Sequence, residues 1–223
     1  MAETGTTTPR ERYRAQVQAE IKERAWEQIA TAGASALSLN AIAKQMGMSG
    51  PALYRYFAGR DELITELVRD AYRSLADAFR TASAAGGGLT GLAHTLRDWA
   101  LADPQRYFLV YGTPVPGYHA PDDVTTIASE IMTALLDACA DLPADLPADG
   151  PPTPLAVHLE GLGDQWTTGH PAPPAALHRA LTCWTRLHGV LSLELAGHFN
   201  GMGFDPTLLF TAELDTLTGA SAN

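Results

Sequence analysis

With 223 residues, 46% of them hydrophobic and 18% charged, the chain has material for one large domain or for a small module joined to a larger one. No apolar run approaches the ~18 residues needed to span a bilayer, and the N-terminus, with Glu3 and no hydrophobic region after its basic residues, does not read as a secretory signal. Cys139 and Cys183 stand far apart in no CxxC arrangement, so neither a disulfide framework nor a zinc module is suggested and a cytoplasmic address is expected.

The net charge of −10 hides its distribution. Residues 1–60 hold eight basic residues (Arg10, Arg12, Arg14, Lys22, Arg24, Lys44, Arg55 and Arg60) against five acidic ones, whereas the remainder is strongly acidic. One end is therefore suited to phosphates and the rest is repelled by them. Apolar periodicity is helical throughout, with no alternating strand and no solenoid repeat, which makes the expected class all-α. Residues 1–14 read as a flexible basic arm, 15–64 as a three-helix head containing a helix-turn-helix, and 65–218 as a larger helical domain reached through a long helix.

In chain order, Val17, Ile21, Ala25 and Ile29 recur every four residues before Gly33. Ser38 is placed to cap a short helix with Leu39, Ile42, Ala43 and Met46 on one face, and Gly47 closes it. Ser49 and Pro51 then open a third helix expected to run to Phe57. The long helix follows over 61–84, then helices over 89–102 and from Asp103-Pro104, the latter carrying Tyr107, Phe108 and Tyr111. After a loop at 113–118, a helix begins at Asp122 or Asp123 with Val124, Ile127, Ile131 and Leu135 inward. Residues 141–154 form a proline-rich connector. Helices near 155–168 and 174–199, separated by Gly169, His170 and Pro171, precede a short last helix from Asp205-Pro206.

The stretch 37–63 carries the function. A helix-turn-helix needs small residues where its helices cross and a tight turn between them, which Ala43 and Gly47 supply. Leu53 and Phe57 anchor the second helix inward, leaving Gly50, Tyr54 and Arg55 free to face a groove, with Met48 beneath the turn. Ile42-Ala43, Gly47, Ser49, Leu53-Tyr54, Phe57, Arg60 and Asp61-Glu62-Leu63 closely resemble the pattern of the TetR family of transcriptional regulators. The resemblance implies that Tyr54 sets its hydroxyl on a phosphate and that Arg60 adds charge at a helix N-terminus on the same strand. Tyr56 stands where the family often has His, and Arg60 where it often has Lys. Asn40 and Arg55 are candidates for base readout, since Asn pairs with adenine and Arg with guanine. Lys44 and Ser38 are candidate phosphate contacts, and Ser49, Gly50 and Pro51 bring the backbone to the duplex. Arg10, Arg12 and Arg14 are either solubilising charge or an arm for an adjacent groove.

The resemblance also implies a homodimer on palindromic double-stranded DNA and a small-molecule effector, apolar or aromatic, that releases it. Dimerisation is carried over to residues 155–166 and 174–199, where Leu177, Leu181, Trp184, Leu187, Leu191 and Leu195 are rich in apolar surface and Gly161 and Gly163 allow close approach. Simple burial in the chain's own core is the other reading. Residues 184–189 are similar to the Trp…His-Gly signature (WHG type) of one C-terminal subclass. Trp99, Phe108, Tyr111, Met132 and Trp184 suit an apolar pocket wall or plain core. His188 is either a satisfied core histidine or the pocket's hydrogen-bonding group.

No cofactor or metal is expected: the seven histidines form no ligand-spaced pair, and residues 47–51 fall short of a GxSxG elbow. A metal-dependent enzyme is the remote alternative. An effector-independent activator or architectural DNA protein is the nearer one.

Overall fold

The computed structural model describes residues 8–142, 153–162 and 173–219, and among them every regular element is helical. Helix α1 (Pro9–Ala32) starts at a capping box: the Thr8 hydroxyl accepts from the Glu11 N–H while the Glu11 carboxylate accepts from the Thr8 N–H. This box corrects the flexible-arm reading for its described part, because Arg10, Arg12 and Arg14 ride on the exposed first turns of α1. Its buried stripe is Val17, Ile21, Ala25 and Ile29, spaced as the sequence predicts.

After a short 3₁₀ turn at Ala34–Ala36 comes α2 (Leu39–Gln45), capped by Ser38, whose hydroxyl accepts from the Ala41 N–H. Gly47 makes the turn with φ 66°, a left-handed conformation that favours glycine. Helix α3 (Gly50–Leu53) is one turn long rather than reaching Phe57. Beyond it the backbone tightens to three-residue bonds, Arg55 N–H to Ala52 O and Tyr56 N–H to Leu53 O. Gly59 must already be extended to open the next helix, which leaves no length for a second α turn. Ser49 occupies the cap position of α3 but makes no side-chain cap bond.

Helix α4 (Arg60–Ala84) has Asp61 and Glu62 in its first turn, where the helix dipole favours negative charge. The body follows as α5 (Gly88–Ala102), α6 (Pro104–Tyr111), α7 (Asp122–Ala140), α8 (Pro154–Leu162), α9 (Pro174–Leu195) and α10 (Pro206–Thr218). Asp103 caps α6 through the Arg106 N–H, and Asp205 caps α10 through the Thr207 N–H. Helix α9 stops short of the expected 199 because Gly197 turns left-handed at φ 76°. Most of the proline-rich connector, Gly163, Trp166 and the Gly169-His170-Pro171 break lie outside the described residues.

Two apolar cores form, and α4 belongs to both. Leu63, Ile64, Leu67 and Val68 close the head core with α1, α2, Leu53 and Phe57. Ala71, Leu75, Ala76 and Phe79 enter the body core with α5, α7, α9 and α10. The head core also recruits Val115 and Val124 from the far side of α6, and Tyr72 packs against both cores. The leucines expected to face a partner are mostly used internally. Leu177, Leu187 and Leu191 are buried, and Leu181, Trp184 and Leu195 are partly buried against the body core, because α9 is covered by α7 on one side and α10 on another. Exposed apolar groups sit elsewhere, at Leu155, Val157, Leu193, Met202, Phe204 and Leu208. Cys139 on α7 and Cys183 on α9 meet in this core as free thiols, and their mutual hydrogen bond together with burial pushes the Cys139 thiol up.

Among the described residues of the body, one charged side chain is buried. Arg97 on α5, 6% exposed, donates to both Glu194 oxygens at 2.6 and 2.9 Å and to Thr207 Oγ1 at 3.0 Å, with its guanidinium carbon 5.3 Å from the Phe210 ring centroid. This network ties α5, α9 and α10 together. Removing one partner strands the other charge, which costs about 3 kcal/mol or more. Urea titrations of Arg97→Leu are therefore expected to show a loss of at least about 3 kcal/mol, whereas Arg97→Leu with Glu194→Leu recovers most of it.

Candidate functional site

The exposed face of the head is assembled by α2, the Gly47 turn and α3. Asn40, Lys44, Ser49, Pro51, Tyr54 and Arg55 are all exposed on it, while Ser38, Gly50 and Tyr56 are half-buried. Leu53 and Phe57, 0% and 1% exposed, hold the face from beneath. The helices cross closely: a Cβ built on Gly50 lies 3.5 Å from Asn40 Oδ1, so ordinary contact is already reached there. Met48 is half-buried against the head core, and its N–H donates to Ala43 O at 2.8 Å, fixing the turn.

Three polar ties, invisible in the sequence, lock this face to its neighbours. Arg14 on α1 donates to Arg55 O at 3.1 Å and stacks over the Tyr56 ring at 5.4 Å. Arg60 donates to Ala34 O at 3.2 Å and Ser35 O at 3.4 Å, so its guanidinium is partly spent on the link between α1 and α2. Gln28 accepts from the Ser38 N–H at 3.0 Å. Each pair is separated by ten or more positions, beyond any local spacing signal.

A second polar cluster lies in the body between α6 and α9. The Tyr107 hydroxyl is 2.9 Å from His188 Nδ1 and 2.8 Å from Ser192 Oγ. Around it, Tyr111 lies 4.5 Å from His188 by ring centroids, and Trp184 lies 4.1 Å from His188 and 5.6 Å from Tyr111. Tyr72 of α4 meets Tyr111 edge-on at 6.0 Å. Burial pushes the His188 imidazole down to about 4 and holds the Tyr111 phenol well above its ordinary value, so both are neutral. Two buried atoms, Tyr111 Oη and His188 Nε2, have no hydrogen-bond partner among the described residues.

Of the six pocket residues expected from the sequence, Tyr111, Trp184 and His188 come together. Phe108 is 5.5 Å from Tyr107 and faces a crevice shared with Ile29, Pro114 and Val115. Trp99 lies apart, its indole N–H donating to Ser74 Oγ at 3.2 Å and its ring covered by Arg106 at 4.6 Å. Met132 packs against the body core from α7. Tyr107 and Ser192 join the cluster in addition to those six candidates. The i, i+4 spacing of His188 and Ser192 on one helix was the available signal.

A bipartite all-helical protein with a helix-turn-helix head on a helical body is a DNA-binding regulator in architecture, and comparisons with known proteins give the same class. The pattern described as "Bacterial regulatory proteins, tetR family" matches residues 21–67, and "Tetracyclin repressor-like, C-terminal domain" matches residues 89–217. HTH-type transcriptional regulators Mb1846 of Mycobacterium bovis and Rv1816 of Mycobacterium tuberculosis are each 35% identical, covering 100% of this chain and 99% of their own. The crystal structure of SCO4313 superposes with a TM-score of 0.86 at 68% identity, over 95% of this chain and 100% of that one. A Rhodococcus sp. RHA1 protein of unknown function shares the fold alone, with a TM-score of 0.65 at 20% identity over 99% of this chain and 98% of its own. The chain belongs to the TetR family. It is a transcriptional regulator with a DNA-binding helix-turn-helix, not an enzyme.

The buried imidazole has a measurable consequence. An unfolded histidine takes up a proton near pH 6.5, whereas folded His188 resists until about 4. The unfolded chain therefore binds more protons in that window, so this stabilisation is intact above pH 6.5 and is lost as pH falls toward 4. The loss reaches at most about 3 kcal/mol. Stability curves of the native chain and His188→Gln should run parallel above pH 7 and converge toward pH 4.

Proposed function

We propose that this regulator is a cytoplasmic homodimeric repressor that holds a palindromic operator and is released by a small, largely apolar effector. The observation that carries the reading is Tyr72, which packs against both cores of the molecule and touches Tyr111 of the aromatic cluster. An effector that displaces Tyr111 or Trp184 pushes on α4, and α4 carries the head. Half-sites lie about 34–36 Å apart or at multiples of that, so a small tilt of each head spoils the register. A hundredfold loss of DNA affinity needs only about 2.7 kcal/mol of differential effector binding.

On the DNA side, the exposed Tyr54 hydroxyl and Lys44 meet phosphates, together with the uncommitted Ser49 hydroxyl. Ser38 works mainly as the cap that aims α2. Asn40 and Arg55 face outward and read bases, while Gly50 and Pro51 let the backbone approach. Arg60 acts through its charge at the start of α4, its N–H groups being shared with Ala34 and Ser35. Arg14 and Tyr56 brace the reading face rather than contact DNA. For the dimer, Leu155 and Val157 on α8 and Leu193 on α9 offer the apolar contacts, since the leucines of the inner α9 stripe are used within the chain.

Selection of bound fragments from genomic DNA followed by footprinting is expected to return a palindrome protected on both half-sites. Lys44→Ala lowers the slope of log affinity against log salt by about 1 for each head, and Tyr54→Phe weakens binding about tenfold with the slope unchanged. Non-palindromic protection, or both variants binding as the native chain does, contradicts the reading. In sedimentation velocity the native chain runs as a dimer, and Leu193→Glu runs as a folded monomer with at least tenfold weaker operator binding. A native monomer overturns the dimer assignment.

A further inference from the structure

Among the buried polar atoms of the body that have no hydrogen-bond partner among the described residues, Tyr111 Oη and His188 Nε2 belong to one aromatic cluster. Leaving such groups unpaired is destabilising, a cost that a folded chain tolerates most readily where a ligand completes the bonding. The hydrogens can be assigned. Ser192 Oγ and His188 Nδ1 both lie against the Tyr107 hydroxyl, at 2.8 and 2.9 Å. If Ser192 donates to Tyr107 and Tyr107 donates to Nδ1, both hydroxyl hydrogens have acceptors, at 2.8 and 2.9 Å. With the proton on Nδ1 instead, either Ser192 loses its acceptor or the Tyr107 hydroxyl is left to donate to His188 O at 3.4 Å, a longer and weaker bond, so the two short bonds favour the first order. The imidazole proton then sits on Nε2. Tyr111 Oη and His188 Nε2 are accordingly two unpartnered donors on rings whose centroids lie 4.5 Å apart.

What covers them is Trp184. Its indole packs on both rings and also walls an apolar crevice with Phe79, Leu92, Leu96, Leu135 and Leu187. One flat side chain separates the crevice from the donor pair, and the crevice by itself has room for no more than about one water, at about 10 Å³. No residue lining the crevice or packed in this aromatic cluster is Lys, Arg, Asp or Glu. A charged ligand therefore loses its hydration with no counter-charge in place. Resting on the reading of this body as effector-binding, we propose that the effector is a neutral, planar, largely apolar molecule bearing a hydrogen-bond acceptor oxygen, a ring ketone or lactone in type. Its oxygen accepts from Tyr111 and His188 Nε2, and its ring takes the place of the Trp184 indole.

The test uses three probes with one ring system: 2-acetylnaphthalene, 2-ethylnaphthalene and 2-naphthoate, titrated calorimetrically into the full chain. The expected result is saturable binding of the ketone at least tenfold tighter than the hydrocarbon, with no measurable binding of the carboxylate. Tyr111→Phe removes only the unpartnered hydroxyl, so the variant melts at or above the native temperature while its preference for the ketone falls at least fivefold. Nitrogen-15 NMR of His188 shows the Nε2–H tautomer, with the bonded proton shifted by the ketone. Equal binding of ketone and hydrocarbon, tighter binding of the carboxylate, no saturable binding of any probe, or an Nδ1–H tautomer overturns the proposal. Operator binding by the ligand-free chain, measured in parallel, separates the two levels: its persistence with a failed titration sinks the effector class and leaves the DNA-binding reading standing.

Discussion

Everything in this molecule hangs on a single helix being buried at both ends by different partners. Helix α4 gives Leu63, Ile64, Leu67 and Val68 to the head and Ala71, Leu75, Ala76 and Phe79 to the body, with no break between them. At roughly 1.5–3 kcal/mol for each fully buried large apolar side chain, the two stripes outweigh any other contact between head and body. Ion pairs flank the helix: Lys22 with Asp70, Arg69 with Asp123, and Arg73 and Arg80 with Glu130. Most of these charges are substantially exposed, so each pair contributes at most about 1 kcal/mol and sets the rotation of α4 more than its hold. The Val115 and Val124 side chains, reaching into the head core from beyond α6, make the junction a packed joint rather than a linker.

The two polar clusters of the body show opposite uses of burial. Around Arg97 both terminal guanidinium nitrogens face acceptors, so the charge is paired and three helices are tied together. Around His188 the bonding runs from Ser192 through Tyr107 and then stops at an open nitrogen. A closed network suits a scaffold. An open one, adjacent to a helix shared by both cores, suits a place where binding energy enters, and Tyr72 of that helix is the side chain that touches the cluster.

Helix positions were legible because capping residues and apolar spacing are local: Ser38, Asp103 and Asp205 each cap the helix expected of them. The inward stripe of α4 and the Leu53–Phe57 anchor were legible for the same reason. What the sequence could not show depends on distance. The Thr8–Glu11 box was present as a local pattern but was outweighed by the run of arginines that reads as a loose arm. The shortness of α3 follows from the extended Gly59 required by α4, a constraint set by the next element rather than by α3. The α9 leucines carry the same pattern whether they face a partner or the chain's own α7, so periodicity alone does not choose between them. Among the pocket candidates, aromatic character was readable, but the separation of Trp99 from the Tyr111–Trp184–His188 group is a tertiary fact.

The central claim is that α4 moves as one body with the head and the cluster behind Tyr72. Native-state hydrogen exchange of the α4 amides measures this most directly. The account predicts that amides in the Leu63–Val68 stretch and in the Ala71–Phe79 stretch open with the same free energy, in one cooperative unit. Early, independent exchange of the first stretch while the second remains protected would contradict it.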